Sequence, residues 1–436
     1  MGVHSGLRAE TCGGAMRAFR APATIAPRAR VRGAGGGRYR PKLLSRASST
    51  SSSGSSDDDA LEAKRRYVNV TGFPFPLTPL LSRATVSREL VPDRVWVFEQ
   101  EQGIGLNLGV STNVRMTVVR MRDGRLWIHD PIAPTEECLE LLAAVGGDVA
   151  YVVLATTQYE HKVFCGPFAR RFPNARVWVA PGQFSFPVQL PNQFFGIFPA
   201  GVLDDDGANA PWRDEIDQRL LRLPPLFWNQ YTYCEAAFHH RDTGTVLVTD
   251  AAVYVSECPP EIIPRDALVD LGAEDGFTIR LLRLGNYRGG RNLPGAGGDR
   301  AVDPDACAAI GWRRMALFSL FIAPDAKNIL APEESFAGLA NRFAVSPIVF
   351  EVVFQFYRDE VAAWARDVAA WKDAERVVSA HFPAYEGKDA AEKFAKAFEW
   401  AAAPNRIPAE YANREDLASL ELVVRLLRFL KAVPPE

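Results

Sequence analysis

Apolar and polar positions along the chain change period several times, and each change marks an element. Val95–Phe98 and Val114–Met121 are rich in β-branched and aromatic residues; the second runs through Asp123-Gly124 into Leu126–Ile128. An Asp-Gly pair between two apolar runs is hairpin chemistry, because Gly supplies the positive φ that a tight turn needs. Thr135, followed by Glu136 and Glu137 and closed by Gly146-Gly147, marks a capped helix to Val145. Tyr151-Val-Val-Leu-Ala has no polar face, the pattern of a strand buried on both sides. It ends abruptly at Thr156-Thr-Gln-Tyr-Glu160-His161, and a helix-like segment, Lys162–Phe172, follows at once. In open α/β sheets, sites form where strands end and helices begin, so Glu160 and His161 are expected on the rim of a sheet.

A further strand is expected at Arg176–Ala180, and a second hairpin at Cys234–His240 and Thr245–Asp250 around Asp242-Thr-Gly244. Residues 183–232 show no period and read as a long covering loop or lid. Residues 258–306 read as a surface insertion with a glycine-rich centre at Gly285–Gly298. Helical periods follow at Cys307–Phe321, Glu334–Phe343 and Ile348–Trp371, then a last strand, Arg376–Ala380, that delivers His381-Phe-Pro383. Helices at Lys388–Ala402 and Arg414–Lys431 end the chain; the apolar remainder of the last one is expected to dock on the body of the protein. Gly103-Ile-Gly105-Leu-Asn-Leu-Gly109 has nucleotide-loop composition, but a strand pattern follows it where a phosphate loop must open a helix.

Charge changes the picture at the N-terminus. The chain has 50 Lys and Arg against 52 Asp and Glu, and residues 1–56 hold ten of the former and one of the latter. The other 380 residues therefore carry 40 basic and 51 acidic side chains, a net of −11, which gives no electrostatic reason to bind nucleic acid or an anionic membrane. Residues 1–56, rich in Arg, Ala, Gly and Ser with a near-pure serine tract from Ser45, have the composition of a plastid transit peptide or a disordered tail. The expected address is the chloroplast stroma. Residues 57–89 read as a charged linker and a proline-rich extended segment, and no apolar run is long enough for a transmembrane segment. Six cysteines without a C-x-x-C pair are expected as free thiols.

Three stretches carry a resemblance: Thr156-x-Gln158-x-Glu160-His161, Tyr231-Thr-Tyr-Cys-Glu-Ala-Ala-Phe238 with its hairpin into Asp250, and Val377-Val-Ser-Ala-His381-Phe-Pro383. Their order resembles the metallo-β-lactamase superfamily, which implies an α/β fold, an αββα sandwich with metals on one edge, over about residues 90–402. A helical insertion and C-terminal helices, the last within 403–436, would complete it. The superfamily's motif His-x-His-x-Asp-His falls on Thr156, Gln158, Glu160 and His161; its third histidine falls near Tyr231, its bridging aspartate on Asp250 and its final histidine on His381. The resemblance thus implies a first metal site that is dismantled and a second that persists as Glu160, His161, Asp250 and His381, a set suited to one zinc, iron or manganese ion. The runs Tyr159-Glu-His-Lys-Val-Phe, Gly166-Pro-Phe-Ala-Arg-Arg-Phe-Pro and Gly311-Trp-x-Arg-Met resemble more closely an uncharacterised plant, algal and cyanobacterial domain-of-unknown-function family.

Two functions follow as expectations. One is a plastid protein on a degenerate metallo-β-lactamase-like fold, binding a small molecule or protein partner without turnover. The other is a mononuclear metal-dependent hydrolase of an ester, thioester or phosphoester. They differ in whether the four side chains converge or Tyr159, Tyr231 or Phe382 fills the space between them. His239 and His240 have no expected role, and His129-Asp130 is expected on the side of the sheet away from the metals.

Overall fold

The computed structural model describes residues 55–68, 77–104, 109–185, 189–284 and 297–435. The transit-peptide reading falls almost wholly outside the described residues, as do parts of the proline-rich segment and of the glycine-rich insertion.

Eight strands form the first sheet: β1 (Leu77–Thr78), β2 (Val86–Val91), β3 (Val95–Ile104), β4 (Thr112–Arg120), β5 (Leu126–His129), β6 (Val149–Leu154), β7 (Arg176–Val179) and β8 (Pro199–Val202). The chain zigzags antiparallel from β2 to β5, and β5, β6, β7 and β8 then run parallel. The parallel stretch needs crossover helices, supplied by α2 (Glu136–Val145) between β5 and β6 and α3 (Tyr159–Ala169) between β6 and β7; α1 (Ser55–Arg65) precedes all the strands. Thr135 caps α2, its hydroxyl accepting from the Cys138 amide at 3.1 Å. The second sheet has the order β15-β14-β11-β10-β9, from β9 (Ile216–Arg222), β10 (Cys234–His240), β11 (Thr245–Leu247), β14 (Arg376–Val378) and β15 (Tyr385–Glu386). Two short strands, β12 (Val253–Val255) and β13 (Arg342–Ala344), pair outside it.

The two-residue period of the strands sorts their side chains into separate cores. Leu126 and Ile128 pack with Cys138 and Leu142 of α2 and Cys165 and Phe168 of α3. Trp127 points the other way, into a core shared with Ala236, Phe238 and Leu247 of the second sheet. The far face of the second sheet packs against the C-terminal helices through Tyr233, Ala237, Val246, Trp312 and Phe354. The layer order is helices, sheet, sheet, helices: the expected αββα sandwich.

Several elements differ from the sequence reading. Residues 183–232 are not only a loop: they supply β8, β9 and Trp212, which is buried between the sheets against Trp127 and Trp178. The alternation of β9 escapes notice because a polar residue, Gln218, occupies one of its inward positions. Residues 57–89 hold α1 and β2 in place of a linker, and residues 258–306 hold helices Arg265–Gly272 and Phe277–Leu284. The expected helix Ile348–Trp371 is broken into Pro347–Val352, a 3-10 turn and Arg358–Ala369. Cys138, Cys165, Cys234 and Cys307 are free thiols, but Cys258 is disulfide-bonded, against the expectation of free cysteines throughout.

Candidate metal centre

Three strand ends meet on one rim. β6 stops at Leu154, and the chain enters α3, whose first turn carries Glu160 and His161. β11 and β14 lie parallel, Leu247 opposite Val378, so Asp250 and His381, each three residues further on, emerge side by side. The sheets are tied together at this same rim: the Thr157 amide donates to the Cys234 carbonyl at 2.9 Å, and the Ala236 amide to the Ala155 carbonyl at 2.8 Å.

Glu160, His161, Asp250 and His381 each bring one nitrogen or oxygen into a cluster whose atoms all lie within 4.8 Å of one another. His161 Nε2 is 3.4 Å from Asp250 Oδ2, and His381 Nε2 is 3.3 Å from Asp250 Oδ1. Neither ring nitrogen of His161 makes a hydrogen bond, nor does Asp250 Oδ2; the 3.4 Å approach lacks hydrogen-bond geometry and stands as an ion-pair contact. His381 Nδ1 lies 2.6 Å from the Asn113 carbonyl, which can only accept, so Nδ1 carries a proton and Nε2 is the ring nitrogen turned toward Asp250.

Burial drives the Asp250 carboxyl upward, and the neighbouring imidazoles of His161 and His381 outweigh it, holding the group well below the usual carboxylate range. Burial lowers the His161 imidazole, and Asp250, Asp130 and Glu160 overcome that and raise it to about 10. Burial, then the charge of Asp250, raises Glu160. Two carboxylates and two imidazoles thus crowd one largely buried space, a donor set that suits a divalent cation.

Residues that hold the four in place are less visible in the sequence. Glu235 is fully buried and accepts from the Thr249, Asp250 and Ala251 amides at 2.7, 2.9 and 3.0 Å, and from the Tyr233 hydroxyl at 2.8 Å. It fixes the turn that presents Asp250, and burial pushes its own carboxyl up to about 7. Asp130 is not turned away from the rim as expected: its Oδ1 accepts from the Ala155 amide at 2.8 Å and its Oδ2 from the Thr249 hydroxyl at 2.6 Å, directly behind the cluster. Phe382 sits at φ 59°, a conformation that costs a non-glycine residue roughly 1–2 kcal/mol. Asn113 and Arg115 brace it: the Phe382 amide donates to Asn113 Oδ1 at 2.6 Å, and the Arg115 guanidinium donates to the Ser379 and Phe382 carbonyls on either side of His381. The available sequence signal was a run of polar residues, Asn113, Arg115 and Thr117, at two-residue spacing inside an apolar strand.

The positions outside the four-residue cluster are engaged with one another. The Tyr231 hydroxyl donates to Gln158 Oε1 at 3.2 Å, and the Gln158 amide donates to the Thr156 hydroxyl at 3.2 Å. Tyr231 and Phe382 line the same cavity as Glu160, Asp250 and His381. It has a volume of about 330 Å³ and is walled by Ile348, Val349 and Val352 of helix Pro347–Val352, with Leu320 and Phe227.

The family profile for Domain of unknown function (DUF4336) matches residues 92–336 and 331–400. The chain belongs to this DUF4336 family. No curated protein matches it. Among solved structures, the DIM-1 metallo-β-lactamase is 7% identical, with a TM-score of 0.36, and 74% of this chain and 98% of that one are covered. A metallo-β-lactamase from Erythrobacter litoralis is 14% identical at a TM-score of 0.33, over 72% and 96% of the two chains. The Flv1 flavodiiron core of Synechocystis is 9% identical at 0.37, over 74% and 62%. The sandwich assigned to this DUF4336 chain rests on its own strand pairing and layer order.

Proposed function

We propose that this DUF4336 chain is a mononuclear metal-dependent hydrolase of an ester, thioester or phosphoester, and that residues 1–56 direct it to the plastid. The observation that carries the reading is the convergence of Glu160, His161, Asp250 and His381 with unpartnered His161 and Asp250 atoms among them. Two imidazoles and two carboxylates fit one zinc, iron or manganese ion, and a carbonyl behind His381 Nδ1 is the usual support of a metal-bound histidine. When bound, such an ion supplies Lewis-acid polarisation and a water of lowered pKa. The degenerate first site is supported by Thr156, Gln158 and Tyr231, which offer no strong ligand and hydrogen-bond among themselves.

The chain's own residues do the rest. Glu235 and Asp130 hold the Asp250 turn, Asn113 keeps His381 in one tautomer, and Gln158 and Tyr231 stand in the cavity wall where they orient an entering carbonyl or phosphoryl oxygen. The net reaction adds water across the scissile bond: oxygen joins the acyl or phosphoryl centre, the bond to the leaving oxygen or sulfur breaks, and the leaving group takes a proton. Support for plastid delivery is the acid-poor, serine-rich start of the chain.

The deciding experiment is metal content of the purified full chain by mass spectrometry. Close to one zinc, iron or manganese per chain, lost in a folded His381→Ala variant, is the expected result. A well-folded wild type that neither holds nor takes up such an ion overturns the hydrolase reading and leaves a cavity that binds a ligand without turnover.

A further inference from the structure

The wall of the cavity is chemically unlike its floor. The floor is Glu160, Asp250 and His381; one wall is helix Pro347–Val352, whose Ile348 and Val352 line the cavity at the i, i+4 spacing of one helical face. Leu320 and Ile322, from the end of helix Pro304–Phe321, and Phe227 extend the same apolar surface. Polar side chains are few and neutral: Gln102, Gln158, Thr112, Ser319 and Ser346. None of the described residues lining the cavity is Lys or Arg. An anionic phosphate or carboxylate would therefore depend on the bound ion and the imidazoles at the floor for its countercharge, with no guanidinium or ammonium in the lining to add to it.

Resting on the hydrolase reading above, we infer that the substrate is a neutral ester or thioester whose acyl group is an unbranched apolar chain, seated along helix Pro347–Val352 with its carbonyl over Glu160, Asp250 and His381. Hydrolysis then joins the water oxygen to the acyl carbon, breaks the C–O or C–S bond and sends the proton to the released alcohol or thiol. The apolar wall gives an acyl chain a seat that a charged phosphoryl group does not use. Chain length is read by burial: each methylene that enters the cavity adds up to about fourfold in affinity, until a cavity of about 330 Å³ is filled.

The test uses a series of n-alkyl carboxamides, from acetamide to decanamide, which present the carbonyl and chain but resist hydrolysis. Binding to the full chain is measured by calorimetry, with and without added zinc, beside p-nitrophenyl ester hydrolysis over the same lengths. The expected result is affinity that climbs two- to fourfold per methylene and then levels off, a slope halved or more in Ile348→Asn, and bound metal unchanged in that variant. Val352→Thr, nearly isosteric, lowers the slope less and guards against misfolding of the first variant. Affinity independent of chain length, or tighter binding of phenyl phosphate than of any amide, overturns the inference even if metal is bound. A steep slope in a protein that takes up no metal leaves the acyl pocket standing and removes the hydrolase reading instead.

Discussion

The strands of the second sheet carry a histidine–carboxylate cluster at each end, and only one has the makings of a metal centre. At the rim, His161, His381, Asp250 and Glu160 face one another with no arginine or lysine among them. At the opposite end, beyond the β10–β11 turn, Glu215, His240 and Asp242 also come within metal-ligand reach. There Arg94 donates to Asp242 at 3.0 Å and to His240 Nε2 at 3.3 Å, Arg122 donates to Asp242 Oδ2 at 2.9 Å, and the Arg122 amide donates to Glu215 at 2.7 Å. His240 Nε2, both Asp242 oxygens and Glu215 Oε2 already accept a hydrogen from Arg94 or Arg122. His240 is neutral, with its Nδ1 proton given to the Thr243 hydroxyl at 2.8 Å, and burial together with Arg94 lowers it to about 4. The lesson is that proximity of ligand atoms is a weak criterion; the two clusters differ in whether arginines already neutralise them.

The largest effect expected is on metal content. His161→Ala should reduce bound metal by at least about 100-fold in affinity, beyond the range seen when supporting residues are changed, while His240→Ala leaves it as in the wild type. Equal retention in both variants, read by mass spectrometry after dialysis, would end the distinction drawn between the two ends. Next in size is the arginine that braces each end. Arg115 is 1% exposed and pairs with Glu99, so Arg115→Met strands a nearly buried carboxylate and should cost about 3–5 kcal/mol in urea unfolding. Arg122, with half its side chain in water, should shift the urea midpoint far less on the same change, because solvent screens its pair with Asp242.

How much of this could be read from the sequence depends on the kind of signal each element leaves. β6 and the start of α3 were legible because a long apolar run breaks at a carboxylate and an imidazole, and His381 because a short apolar strand delivers it. Their convergence was expected from the resemblance and is seen in the register, where Asp250 and His381 lie equally far beyond paired residues. β9 was hidden by the inward-facing Gln218, and α1 by a composition that looks solvated. Asp130 was misplaced because its role depends on two contacts distant in sequence, with Ala155 and Thr249, that a linear pattern does not encode. Glu235 looked like one more polar residue at a strand end; its work, gathering three consecutive amides, appears only when the turn is folded over it.

Asn113 offers a finer comparison between ligands and their supports. Its carbonyl sets the His381 tautomer from the backbone, while its side chain accepts from the Phe382 amide and so fixes the loop in a positive-φ conformation. Asn113→Ala keeps the first contact and removes the second. The expected outcome is a 10- to 100-fold loss in zinc affinity with the ion still bound at saturation, measured by competition with a chelator. Unchanged affinity would show that Arg115 alone holds the loop.

The smallest effect probes the end whose ligand atoms already accept from arginines. His240 is fully buried and faces Arg94, Arg122, Asp242 and His239, with Thr243 accepting its one proton. Its folded pKa of about 4 lies below the unfolded value of about 6.5. For a base lowered in this way, stability is intact above the unfolded pKa and is lost as the pH falls, since the unfolded chain takes up the proton first. Between pH 7 and pH 5.5 the loss attributable to this one group is about 1 kcal/mol. His240→Gln keeps an amide donor and acceptor for Thr243 and Arg94 but cannot titrate, so its urea midpoint should fall less than that of the wild type over this interval. Parallel pH profiles for the two proteins would mean that His240 is protonated in the folded chain, and with it would go the argument that the arginines have already claimed this cluster.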